Sequence, residues 1–256
     1  MNIADLQNQT DLRNIAIDKV GVKGIKYPII VADREKKIQH TIADLDIYVE
    51  LPHHKRGTHM SRFLEVLAKY QEDTIVDQLE SLLLETKQIL NADAAYIDLK
   101  FPYFLSKKAP VSGIESLLSY TCEFNASYRE QMSLWIGVGV PVTTLCPCSK
   151  EISDFGAHNQ RSEITLRVCY DAFVWLEELI DLAEDSCSCE IYPLLKRVDE
   201  KFVTEKAYQN PMFVEDVVRE ISQKLDADCR IKAYQIVSEN FESIHNHNAY
   251  AMIRKG

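Results

Sequence analysis

No uncharged apolar run in the 256-residue chain approaches the roughly 20 residues needed to cross a bilayer. The opening decapeptide, Met1-Asn-Ile-Ala-Asp-Leu-Gln-Asn-Gln-Thr10, has neither a basic stretch nor an apolar one, so it carries no mark of a secretory leader. The expectation is a soluble cytoplasmic protein without a membrane partner. Positive charge is also scarce: 29 Lys and Arg against 39 Asp and Glu leave a formal net charge of -10. Such a field repels phosphates, which disfavours a nucleic-acid partner and requires any phosphorylated ligand to sit in a local basic pocket. Seven cysteines, an odd number without framework spacing, argue against a secreted disulfide scaffold and read as reduced thiols. Gly-rich phosphate loops, heptads, low-complexity tracts and flexible linkers are missing as well.

What is present is alternation. Leu45, Ile47, Val49 and Leu51 alternate with polar neighbours, as do Ala95, Ile97, Leu99 and Phe101, then Leu134, Ile136, Val138, Val140 and Val142, then Ile164, Leu166, Val168 and Tyr170. Period 2 predicts half-buried antiparallel strands. Gly137 and Gly139 fall on the other face of the third strand, where a neighbour can come close. Helical periodicity predicts helices from Ser61 to about Tyr70, Thr74 to about Leu90, Phe173 to about Ala183, Pro193 to about Ala207 and Met212 to about Leu225. In the last of these Val214, Val217, Val218, Ile221 and Leu225 form one stripe, with Pro211 at its start. Final strands are expected near Arg230 to Ser238 and Ala249 to Ile253. The order is strand-strand-helix-helix-strand-strand, roughly repeated from about residue 130: an α+β chain of two tandem ββααββ units, about 15–130 and about 131–256, in one bimodular domain.

The residues that could carry chemistry are few. Cys146 and Cys148 flank a proline in Leu145-Cys-Pro-Cys-Ser-Lys150, and His158 follows in Gly156-Ala-His-Asn-Gln-Arg-Ser162. On an extended segment the two thiols leave the chain at nearly the same height, where a disulfide is strained. They read either as metal thiolates or as buried inert cysteines, and His158 tips the balance toward metal. His245 and His247, two apart, share a face if they lie on a strand; the competing reading is an exposed polar edge. Glu200 and Glu215 have no signal of their own beyond a solvated helix charge, Glu215 in a first turn that favours it. Cys187 and Cys189 form a second Cys-x-Cys with no histidine nearby and read as core.

Taken together, those segments, with Leu194-Leu-Lys-Arg-Val-Asp-Glu-Lys-Phe-Val-Thr-Glu205, Asn210-Pro-Met-Phe-Val-Glu215, His245-Asn-His-Asn248 and Arg56-Gly-Thr-His-Met-Ser-Arg-Phe63, closely resemble the type IB GTP cyclohydrolases from about residue 15 onward. Val198 departs from the pattern, standing where a proline is expected in a turn. The resemblance implies the tunnelling fold, in which ββααββ units join their antiparallel sheets into barrels, and a homotetramer with active sites at subunit interfaces. It implies a divalent metal, Mn2+, Fe2+ or Zn2+, on Cys146, His158, Glu200 and His245, with Cys146 also catalytic. It makes Glu215 the guanine anchor and His247 a proton carrier. GTP is then hydrated at purine C8, which a metal assists by lowering the pKa of bound water from about 15.7 to about 7. Ring opening releases formate, and reclosure gives 7,8-dihydroneopterin triphosphate. A carboxylate can accept the adjacent N1–H and N2–H of guanine in bidentate fashion. Arg62, Lys150 and Arg161 are the motif-borne cations for the triphosphate.

Two rivals predict different chemistry. A tunnelling-fold nitrile reductase would use Cys146 or Cys148 as nucleophile with NADPH and no metal. A non-catalytic metal or thiol protein would close its site with four protein ligands and leave no position for water.

Overall fold

The computed structural model describes residue 7 and residues 9–70 and 73–256; most of the polar N-terminal decapeptide read above lies outside them. The chain forms two compact units, Met1–Phe101 with Glu123–Trp135, and Pro102–Cys122 with Ile136–Gly256.

In the first unit β1 (Ile17–Asp33), β2 (Lys37–Leu51), the start of β3 (Ala95–Lys108) and the end of β4 (Glu115–Tyr128) follow one another across the sheet. The alternation in β2 and β3 sets their register: Leu45 stands opposite Leu99 and Ile47 opposite Ile97, all of them buried. Two helices, α1 (Met60–Leu67) and α2 (Ile75–Ile89), pack against β1, α2 burying Ile75, Leu79, Leu82 and Leu83. Each such side chain contributes about 1.5–3 kcal/mol by leaving water. β1 slips register between Val22 and Ile25, where Gly24 takes a φ of +71° that a side chain would resist, and its N–H donates to the Asp46 carboxylate at 2.7 Å.

The second unit contains β5 (Met132–Leu145, from Ile136), α3 (Pro147–Ile152), β6 (Asn159–Tyr170), α4 (Leu176–Glu184), β7 (Cys189–Glu190), α5 (Arg197–Gln209), α6 (Val214–Ala227), β8 (Ile231–Asn240) and β9 (Ala249–Lys255). Its strand order is β5-β6-β8-β9, with β7 pairing β5. Val138, Val140 and Val142 of β5 and Ile164, Leu166 and Val168 of β6 are all buried in the core, and α6 lays Val217, Val218, Ile221 and Leu225 over β8 and β9. On the other face of β5, a side chain at Gly139 would stand 3.3 Å from a Glu163 carboxylate oxygen, so this glycine does allow a close approach.

Several helix starts differ from expectation because capping, not periodicity, fixes them. α4 begins at Leu176 rather than Phe173, α5 at Arg197 rather than Pro193, and α6 at Val214, leaving Pro211 outside the helix. In α5 the Lys196 N–H donates to Asp199 at 2.8 Å, and in α6 the Phe213 N–H donates to Asp216 at 3.0 Å. Val198 is therefore not in a turn but in the first turn of α5, the one stretch of helix that tolerates proline equally well.

Candidate active site

β5 runs directly into α3, and Cys146 is the residue between them. Pro147 takes the first helical position, where its missing N–H costs nothing, and the Cys146 Sγ accepts from the Ser149 N–H at 3.5 Å. The Cys-Pro-Cys is therefore not extended: Cys146 caps a helix, while Cys148 lies within it and is exposed. The same turn folds the histidine back. The Cys146 N–H donates to the His158 carbonyl at 3.1 Å, and the His158 N–H donates to Ser149 Oγ at 3.2 Å.

Glu215 comes to the same place by a backbone contact. The Met212 N–H donates to the Leu145 carbonyl at 3.1 Å, which sets the first turn of α6 beside Cys146. Cys146, Gln160, Met212, Phe213, Glu215, Asn240 and Glu242 share one cleft of about 190 Å³. Sites that enclose a drug-sized ligand run to roughly 300–1,000 Å³, so this cleft walls only part of one.

Glu242 was not singled out from the sequence. Its Oε2 is buried without a hydrogen-bond partner, 3.9 Å from His158 Nδ1 and 3.7 Å from His245 Nδ1. The only sequence signal is a carboxylate three residues before His245, too common a spacing to stand out. His245 and His247 lie in a bent segment rather than on a strand, yet their rings stack at 5.0 Å and 27°. A thiol, two imidazoles and a buried carboxylate oxygen with no hydrogen-bond partner form a donor set of the kind a divalent cation takes. Among the described residues, no three such side chains already stand close enough to hold one.

Glu200 does not line this cleft; it is exposed in the first turn of α5. Its neighbour Asp199 is the buried one. Desolvation pushes the Asp199 pKa up, but hydrogen bonds from Ser112, Lys196 and Val111 outweigh it and hold the carboxyl well below the usual range. Of the three cations, Arg62 donates to the Ile89 carbonyl at 3.0 Å, where α2 ends. Lys150 donates to the Tyr208 carbonyl and lies 4.5 Å above that ring. Arg161 is exposed and lines a second cavity with Asn159, Glu190, Tyr192 and Thr204. Cys187 and Cys189 are buried as expected, and burial pushes the Cys189 thiol up to about 11 and Cys187 higher still.

Comparison with known proteins places this architecture. Uricase from Arthrobacter globiformis superposes with a TM-score of 0.51 at 6% identity, over 93% of each chain, and the fold is the tunnelling fold, α+β with antiparallel sheets. A family model described as type I GTP cyclohydrolase folE2 matches residues 3–251. The GTP cyclohydrolase FolE2 of Geotalea uraniireducens is 55% identical over 253 residues, covering 99% of this chain and 93% of that protein. Its counterpart in Geobacter metallireducens is 53% identical over 251 residues, covering 98% and 96%. The chain belongs to the FolE2 family of type I GTP cyclohydrolases.

Proposed function

We propose that this protein is a metal-dependent GTP cyclohydrolase that converts GTP and water to formate and 7,8-dihydroneopterin triphosphate. The observation that carries the reading is the cleft that Cys146 and Glu215 line together with the Glu242 carboxylate, whose oxygen lies near two imidazoles, in a chain 55% identical to a protein of that name. Glu215 accepts the N1–H and N2–H of guanine and so rejects adenine, which lacks that pair of donors. Cys146, His158 and His245, joined by Glu200, would hold Mn2+, Fe2+ or Zn2+, which when bound lowers the pKa of a water enough to hydrate C8 at neutral pH. His247, stacked on His245, carries protons during ring opening and reclosure. Glu242, on the Nδ1 side of both His158 and His245, matches the carboxylate that commonly supports a metal-bound imidazole from behind.

A homotetramer with sites shared between copies completes this reading. The cleft of one chain is too small for a nucleoside triphosphate, and Glu200 lies outside it. Ile152, Phe155, Ile244, Tyr250 and Met252 are exposed apolar side chains of the same unit, and a second copy would cover them. Lys150 and Arg161 are the cations proposed for the triphosphate, and Arg62 enters the proposal only through its place in the Arg56–Phe63 motif. The enzyme works in the cytoplasm; no helix among the described residues is long and apolar enough to cross a membrane.

The test is turnover of GTP by protein stripped with a chelator and reloaded separately with Mn2+, Fe2+ or Zn2+. Formate release and a pterin that fluoresces after oxidation are expected only with metal, and Cys146→Ala and His158→Ala abolish both. Full turnover by the chelated protein overturns the metal reading, and NADPH-dependent nitrile reduction would favour the rival enzyme.

A further inference from the structure

A ladder of buried polar side chains runs from the end of β8 to His158. Ser162 Oγ donates to Asn240 Oδ1 at 2.7 Å, Ser162 and Thr144 hydroxyls are 2.7 Å apart, Gln160 Nε2 donates to Thr144 Oγ1 at 2.8 Å, and Gln160 Oε1 is 3.1 Å from His158 Nδ1. Thr144 and Ser162 have no exposed surface, Asn240 is 4% exposed and Gln160 6%. Three strands contribute: Thr144 from the end of β5, Gln160 and Ser162 from one face of β6, and Asn240 from β8, paired in register with Ser162.

Each hydroxyl has one proton, so with the Asn240 amide oxygen toward Ser162 the direction of every other link follows. Ser162 spends its proton on Asn240, so it can only accept from Thr144. Thr144 spends its proton on Ser162, so it can only accept, and the group facing it is the Gln160 amide nitrogen. That turns the Gln160 oxygen toward His158, and an oxygen needs a proton from Nδ1. Glu242 Oε2, 3.9 Å from the same nitrogen, is beyond hydrogen-bond distance, so Gln160 is the group that bonds Nδ1. Without water to supply another donor, the ladder reverses only if every link reverses together.

We infer that Gln160, locked by Thr144, Ser162 and Asn240, is a positioning residue that holds His158 as the Nδ1–H tautomer and leaves Nε2 as its unprotonated nitrogen. For catalysis this rests on the metal reading above, since only the unprotonated nitrogen can bind a cation. A ladder that merely stitched three strands together would leave the tautomer of His158 indifferent.

The test uses full-length, metal-free protein with 15N-labelled imidazoles, read by solid-state NMR at pH about 8.5, above an ordinary imidazole pKa of about 6.5. His158 is identified by the resonance lost in His158→Asn. The expected result is Nδ1–H in the wild type, in Thr144→Ser and in Gln160→Glu, each of which keeps the acceptor, and a mixture or Nε2–H in Thr144→Val and Gln160→Met. Thermal unfolding shows whether each variant folds, and Gln160→Met carries the same readout if Thr144→Val does not. Competition against a chelator should show Zn2+ or Mn2+ affinity falling about 10–100-fold in the two apolar variants and not in Thr144→Ser. Nδ1–H that survives in folded Gln160→Met, or Nε2–H in the wild type, overturns the inference. Wild-type protein that binds no metal, with the tautomer switching as stated, overturns the metal reading and leaves the inference standing.

Discussion

At the scale of single residues, the site is a set of ordinary side chains whose roles depend on what stands behind them. Cys146 and Cys148 are chemically identical and two residues apart, yet one caps a helix at the cleft and the other is a solvent-facing helical thiol. Glu215 is one of many surface carboxylates until the Met212–Leu145 backbone hydrogen bond brings it to Cys146. Hydrogen bonds to a charged group contribute about 1.5–3 kcal/mol, or about 10- to 150-fold in binding or rate. Glu215→Ala should therefore lower kcat/KM for GTP by at least that range while leaving the melting temperature within a degree or so of wild type, since this side chain is half-buried at most and caps nothing. Steady-state kinetics with a parallel melting curve checks this. An unchanged kcat/KM removes the residue from guanine recognition.

At the scale of elements, capping decided what periodicity could only approximate. Alternation reveals β2, the start of β3, β5 and β6 because each buries one clean face of Val, Leu and Ile. It does not reveal β1, whose register slips at Gly24, or β4, whose inward face is Tyr120, Cys122, Phe124 and Ala126 rather than branched aliphatics. The six-residue α3 is too short for any period and is specified by Pro147 and the Cys146 cap alone. Asp199 anchors α5 to the loop at Val111 and Ser112, and its lowered pKa gives a signed prediction. Its stabilising effect is complete above the unfolded-state pKa of about 3.9 and is lost as pH falls below that toward the lower folded value. Asp199→Asn should lower the melting temperature at pH 7, and the gap from wild type should close as the pH drops below about 4. Melting curves across pH 2–7 check this; a gap that stays constant with pH contradicts it.

At the scale of the whole molecule, the prediction concerns assembly. β9 is the edge strand of its unit, and it leaves Tyr250 and Met252 exposed next to the segment that carries His245 and His247. An unpaired edge with exposed apolar side chains is a template for another chain. Met252→Asp should shift the sedimentation profile from the proposed tetramer toward smaller species and reduce GTP turnover with it. A tetramer that persists with full activity would move the interface elsewhere. The sequence by itself determined the fold class and the family, because alternation, helical stripes and short motifs are local properties of the chain. It could not show Glu242, the Gln160 ladder or the cap that parts Cys146 from Cys148. Those depend on which side chains meet across β5, β6 and β8, and a carboxylate or an amide has no meaning for a histidine until strands far apart in sequence bring them within a hydrogen bond of each other.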